Sequence, residues 1–357
     1  MLRVAVLRVG VLRGGGRLWW ILGWCSAGRR RRNGRLKTGT PRRRHILSSL
    51  QQGCKQTMSE MQWYYMKIGK GNELAEKWLP GDNPLKRSAV PILFGRRSIA
   101  DLRTGNCGRQ EKDFYESSLP ENRDKRVITV IFGGFVWLLR PAGNLEEYDP
   151  GSNSRDTLKI MPVDMICPKL RLADVPPILA GINANAFLSR GTFRKITNWG
   201  NIKAVERALG HPLPSKHLAQ ENCTVSRLLE CLSSVELETL VAKLFEAAGC
   251  FVPAYRGGCV KDVDLFAHNE TGKTIELEDL VLKPKQRFAI QVKGRNKLTK
   301  RPPAVDYFIG IDSPDLPNCY DGAWLLSQVK RFPQVNNWLR RSLSWLPSEF
   351  LVKYEIR

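Results

Sequence analysis

Apolar and polar positions in the last third of the chain follow two different periods. Leu237, Leu240, Val241, Leu244 and Phe245 recur at the spacing of one buried helical face, and Gly249 is placed to end that helix in positive φ. A shorter helix is expected just before it, over 225–232. After Tyr255-Arg256-Gly257-Gly258, the run Asp262-Val263-Asp264-Leu265-Phe266-Ala267 alternates like a half-buried strand. A polar segment turns at Gly272 and leads through an acidic run at Glu276, Glu278 and Asp279. Phe288-Ala289-Ile290-Gln291-Val292-Lys293 then reads as a second strand, stopped by Gly294. Asp306-Tyr307-Phe308-Ile309-Gly310-Ile311 and Gly322-Ala323-Trp324-Leu325-Leu326 read as two more buried strands. A helix from Gln328 and a tail through Arg340-Arg341 close the domain.

Shorter strand-like runs fill residues 61 to about 215. Trp63-Tyr64-Tyr65-Met66-Lys67-Ile68 ends at Gly69-Lys70-Gly71, and Asn72 is placed to cap a short helix over 73–79, closed by Pro80-Gly81. Val90-Pro91-Ile92-Leu93-Phe94-Gly95 is a second apolar run whose proline favours a sheet edge. The polar stretch 96–126 mixes helix and loop. Two β-rich runs, 127–132 and 135–141, flank Gly133-Gly134 and predict a hairpin. One more strand is expected over 158–167. Pro176-Pro177 opens a helix over 178–188, with Asp174 near its cap, and Asn198-Trp199-Gly200-Asn201 leads into another over 202–209. Between them, Ser189 to Lys195 forms a compact basic turn. Main-chain amides beside Arg190, Arg194 and Lys195 suit a phosphate, and a solvated surface loop is the equal alternative.

Composition changes this picture at one place. The net charge is +23, yet the first 59 residues hold fourteen Lys or Arg and no Asp or Glu. The remainder carries 43 basic against 34 acidic residues, still a balance that favours a polyanionic partner. Residues 1–57 read as an organelle transit peptide, a basic arm, or translation upstream of a start at Met58, Met61 or Met66. The abrupt shift at Met58 favours the last. The apolar stretch Leu18 to Trp24 is too short to span a bilayer, so no membrane association is expected. Nine cysteines and four histidines are scattered without any C-x-x-C spacing. That pattern excludes a zinc ribbon or redox dithiol and suits a reducing cytoplasm. No Walker A motif occurs.

The strand pair carries the chemistry. Asp264 offers a hard oxygen for Mg²⁺, and the Val292 carbonyl or the Gln291 amide oxygen offers others. Gln291 and Lys293 are two apart and leave one strand face together, which puts an ammonium beside the ligands to orient a water and neutralise a transition state. Glu238, on the preceding helix, adds a carboxylate. An Asp capping a strand end and a Lys guarding a sheet edge is the bland reading of any one of these residues. Taken together, the helix Glu, Gly-Gly, Asp-Val-Asp-Leu and Ile-Gln-Val-Lys resemble the PD-(D/E)xK nuclease fold, most closely its Mrr-like restriction endonuclease branch, over roughly the last third of the chain.

That resemblance implies Asp264 as metal ligand, Gln291 at the second ligand position, Lys293 as catalytic lysine and Glu238 as helix carboxylate, with Mg²⁺ or Mn²⁺ as cofactor. It implies an α/β restriction-endonuclease-like domain, a central mixed sheet flanked by helices, over 224–357. Lys67-Ile68-Gly69-Lys70-Gly71-Asn72-Glu73-Leu74-Ala75-Glu76 looks like the start of modules found ahead of such domains. Residues 58–215 are accordingly expected to form a β-rich α+β module of PUA or EVE type, joined by a linker at 216–223. Trp63, Tyr64, Tyr65, Trp137 and Trp199 are its candidates for a base pocket, although an aromatic in a strand is usually core. Arg256, Lys261, Arg295 and Lys297 flank the catalytic strands and are expected to contact backbone phosphate. The expected protein is a DNA endonuclease directed at foreign or modified DNA, acting as a homodimer or larger oligomer. A catalytically silent nucleic-acid-binding protein and a nuclease for branched repair intermediates are the alternatives.

Overall fold

Two sheets organise the described residues, which are 61–69, 72–92, 97–149, 158–184, 192–211, 213, 224–254, 263–294, 305–313 and 315–356 of a computed structural model. All belong to one compact unit, 57–357. The expected leader, 1–57, and linker, 216–223, lie outside the described residues.

The first sheet begins with β1 (Gln62–Met66), helix α1 (Ala75–Trp78) and β2 (Ala89–Ile92). Helices α2 (Ile99–Thr104), α3 (Arg109–Ser118) and α4 (Pro120–Arg123) follow, then β3 (Arg126–Phe132), β4 (Phe135–Pro141), β5 (Glu146–Tyr148), β6 (Leu158–Met165) and β7 (Leu170–Arg171). Helix α5 (Ile178–Ala184), β8 (Phe193–Lys195) and helix α6 (Trp199–Ala208) complete it. The strand order is β2-β6-β4-β3-β1-β8, with β5 beside β6 and β7 beside β4. The sheet is mixed, because β1 runs parallel to β3 while the other pairs are antiparallel. The hairpin at Gly133-Gly134 forms as expected, with φ of 59° and 78° at the two glycines, a turn that L side chains resist. Pro91 sits in β2, at the end of the strand order.

Both faces of this sheet are covered. Tyr64, Met66, Ile128, Val130, Trp137 and Leu139 pack with Leu102 of α2 and Phe114 of α3. Trp63, Tyr65, Val127, Val136 and Leu138 pack on the other side with Ile178 and Leu179 of α5 and Ala204 and Val205 of α6.

The second sheet starts after helices α7 (Val225–Leu229) and α8 (Ser234–Ala247). Its strands are β9 (Phe251–Ala254), β10 (Leu265–His268), β13 (Arg287–Lys293), β14 (Tyr307–Gly310) and β15 (Cys319–Tyr320), with a separate hairpin of β11 (Ile275–Leu277) and β12 (Leu280–Leu282) between β10 and β13. Helices α9 (Gly322–Arg331), α10 (Pro333–Ser342) and α11 (Ser348–Lys353) end the chain. The order is β15-β14-β13-β10-β9. Strands β9, β10 and β13 are antiparallel, and β13, β14 and β15 run parallel. One face packs on the helices through Leu265, Ala267, Phe288, Ile290, Val292, Tyr307 and Ile309. Helix α8 is set by a capping box in which Ser233 accepts from Glu236 N at 3.2 Å while the Glu236 carboxylate takes the Ser233 N–H at 2.9 Å. The expected Leu237–Phe245 face is the one it buries.

Helical layers join the two sheets. A Cβ at Gly200 of α6 would lie 2.2 Å from the Glu230 carbonyl oxygen, so only glycine permits that approach. Trp199 and Phe350 rings lie 6.4 Å apart across the same junction.

Three local expectations are corrected, and the acidic run, which carried no assignment, takes a definite form. Residues 322–326 are not a strand but the start of α9, because the Asp321 side chain accepts from Trp324 N (2.8 Å) as an N-cap, and Leu325, Leu326 and Val329 share its buried side. The acidic run is a hairpin, with Glu278 at φ 56° in the turn between β11 and β12. Asn72 caps no helix. It is buried at φ 69°, accepting from Ile68 N (2.6 Å) and donating to the Ile131 carbonyl (2.9 Å), so it closes a loop onto β1 and β3. The end of the expected basic turn, 193–195, is strand β8, paired with β1.

Candidate functional site

Asp264 stands one residue ahead of β10, where its N–H donates to the Ile290 carbonyl at 2.9 Å. Leu265 pairs with Ile290, so continuing that register sets Asp264 opposite Gln291. The Asp264 carboxylate then occupies the place of the missing ladder partner: Oδ2 accepts from the Val292 N–H at 2.8 Å. The Lys293 ammonium approaches the same oxygen at 3.3 Å. Both side chains are partly open, at 22% exposure for Asp264 and 32% for Lys293. In an antiparallel strand, the N–H and carbonyl of one residue point to the same edge, so the Val292 carbonyl belongs to this edge as well.

Gln291 is buried to 2% exposure, and its Oε1 has no hydrogen-bond partner. A buried amide oxygen left unpaired costs about 1–3 kcal/mol, so its presence calls for an explanation. The strand alternation puts Gln291, Lys293, Asp264 and Phe266 on the face turned away from the helical core. Glu238 is half-buried on α8, in the layer on the opposite side of the sheet. A Cβ at Gly294 would lie 3.9 Å from Leu237 Cδ2, so the first turns of α8 stand over the end of β13 that carries Lys293.

The remaining expected site residues divide into two groups. Arg190, Arg256, Lys261, Arg295 and Lys297 lie outside the described residues. Arg194 and Lys195 are on β8 at the end of the first sheet, in register with Tyr65 and Tyr64. The aromatic candidates do not share a pocket. Tyr64 and Trp137 are buried on one face of the first sheet, Trp63 and Tyr65 on the other, and Trp199 packs against the core of the second. Sequence reading passed over Phe266 and Arg287, which share the open face with Asp264 and Lys293. The signal was the same two-residue alternation that singled out Gln291 and Lys293.

Among the described residues no group of three or more His, Cys, Asp or Glu is gathered for a metal, and no helix is long and apolar enough to cross a membrane. Compared with protein-family models, characterised proteins and solved structures, the chain matches none.

Proposed function

We propose that residues 224–357 carry a Mg²⁺-dependent endodeoxyribonuclease site of restriction-endonuclease-like, Mrr-like type, with Mn²⁺ able to substitute. The observation behind this reading is the convergence of the Asp264 carboxylate, the Val292 main chain and the Lys293 ammonium where the interior strands β10 and β13 meet, with Gln291, whose side-chain oxygen is unpartnered, opposite Asp264. These groups fit a hard cation: Asp264 Oδ, Gln291 Oε1 and the Val292 carbonyl are oxygen donors of the kind Mg²⁺ takes, and Gln291 would gain the partner it lacks. Such an ion supplies Lewis acidity toward a phosphate oxygen and a more acidic water. Lys293 orients the attacking water and offsets negative charge as the water oxygen bonds to phosphorus and the sugar oxygen departs. Glu238, in the helical layer behind the sheet, is given no direct contact with the ion or the water in this reading. The first sheet serves as the recognition module, PUA- or EVE-like in this reading, with its chemistry supplied by surface groups and not by its buried aromatics.

A catalytically silent binding protein is the second reading, favoured by the single carboxylate among the three proposed ligands. Supercoiled plasmid incubated with the full chain and Mg²⁺ or Mn²⁺ separates the two. Metal-dependent nicking that chelator abolishes and Asp264→Ala removes is the expected result. Equal nicking by parent and Asp264→Ala defeats the proposal, and no nicking by either supports the silent binder.

A further inference from the structure

Beside the candidate site, the β9–β10 part of the sheet face turned away from the helices carries exposed aromatic surface, whereas Gln291 and Phe308 farther across that face are buried. Phe266 follows Asp264 by two residues and is 40% exposed, and Phe251 is 53% exposed. They are the aromatic members of the exposed large apolar side chains among the described residues, whereas Phe288 and Phe308 of the same sheet are buried. Register fixes their placement: Phe266 is opposite Ala289 on β13, and Phe251 is opposite His268 on β10, across a β-bulge in β9. Residues directly opposite in an antiparallel pair share a face. Asp264, Phe266 and His268 therefore form one row along β10, with Phe251 beside its far end. Arg287, exposed and opposite His268, closes that end, and Lys293 stands at the other. The two cations are six residues apart on β13, about 20 Å at the rise of a strand. Ala289, between them, leaves the Phe266 ring with a small neighbour across the ladder.

An exposed ring, Phe266, lies two residues along the ladder from the Arg287 rung, with a second ring, Phe251, on that rung two strands over. This arrangement matches the chemistry of an unpaired nucleic-acid strand: a phosphate takes the Arg287 charge and bases lie on the rings, while Lys293 at the other end is paired with Asp264. Paired bases in a duplex hide their flat faces and have no use for exposed phenyl groups on a sheet. We infer that Phe266 and Phe251 form a stacking platform for unpaired bases, with Arg287 holding the backbone beyond it. The strand delivered to Asp264 and Lys293 is thus single-stranded or locally opened. The orientation of that strand toward the pair rests on the nuclease reading above, whereas the stacking itself does not.

The test is fluorescence anisotropy of the full chain with labelled oligothymidylate, an abasic strand of equal length and a matched duplex, all in chelator so that nothing is cut. Phe266→Ala is expected to weaken oligothymidylate binding about tenfold, the scale of one lost base stack, and to leave the abasic strand unchanged. Phe266→Tyr should restore the affinity. Arg287→Ala should weaken both single strands and lower the salt slope by about one. Unchanged oligothymidylate binding by Phe266→Ala overturns the inference, as does equal weakening on the abasic strand. A shift in oligomeric state with strand binding intact identifies the strip as a self-association surface and also overturns it. Plasmid nicking by the parent and Asp264→Ala, measured separately with Mg²⁺ or Mn²⁺, keeps the two proposals apart. If Phe266→Ala loses stacking while plasmid nicking is absent or insensitive to Asp264, the nuclease reading falls and the platform stands; the reverse pattern removes the platform alone.

Discussion

Asp264→Ala removes two interactions of unequal weight. The Oδ2 bond from the Val292 N–H, at 2.8 Å, is charge-assisted and terminates the β10–β13 ladder. Bonds of that kind contribute about 1.5–3 kcal/mol, and the amide left behind has no replacement. The Lys293 contact, at 3.3 Å between side chains 22% and 32% exposed, is screened by solvent and contributes at most about 1 kcal/mol. Asp264→Ala is therefore expected to cost about 2–3 kcal/mol, and Lys293→Ala under about 1 kcal/mol. Asp264→Asn keeps an acceptor for Val292 and should lose under about 1 kcal/mol. Urea unfolding followed by tryptophan fluorescence measures all three, and the slopes should match the parent, since the exposed surface on unfolding is unchanged. Equal losses for Ala and Asn would show that the main-chain bond is not what holds Asp264. An Ala variant as stable as the parent would show that the bond contributes nothing.

Gln291→Glu is expected to tighten Mg²⁺ in a calorimetric titration and, without metal, to lower stability by about 1–3 kcal/mol, because it buries a carboxylate opposite Asp264. Gly200→Ala should destabilise the whole unit by at least about 1–3 kcal/mol in the same urea assay, since its Cβ would lie 2.2 Å from the Glu230 oxygen at the junction of the helical layers. Burial pushes the Cys250 thiol up to about 11, above its value in the unfolded chain. Its contribution should hold constant below about pH 8.5 and fall as pH rises toward 11, and Cys250→Ala should flatten that part of the stability profile.

Where a periodic run was long, the sequence was readable. The α8 face, the Gly133-Gly134 hairpin and the β13 strand all follow from spacing that tertiary contacts merely reinforce. Residues 322–326 misled because five apolar positions cannot distinguish a period of two from one of 3.6, and the deciding signal was the Asp321 cap beside them. Asn72 misled for a different reason: its side chain is satisfied by the Ile68 N–H just past β1 and by the Ile131 carbonyl of β3, the latter 59 residues away in sequence. At the candidate site, the shared face of Gln291 and Lys293 was legible from strand parity alone. The Asp264–Val292 bond was not, since it depends on the register between strands 28 residues apart. The opposite faces taken by Tyr64 and Tyr65 follow from the same parity, which already disfavoured one pocket for both.

Metal binding and cleavage measured side by side on Lys293→Ala and Asp264→Ala test the central claim most directly. Lys293→Ala should still bind Mn²⁺ in a calorimetric titration while plasmid nicking disappears, because the ammonium serves the water and the transition state and not the ion. Asp264→Ala should lose both, because it deletes the one charged ligand on the strand pair. Lys293→Ala and Asp264→Ala proteins that nick plasmid at the parent rate would contradict the account.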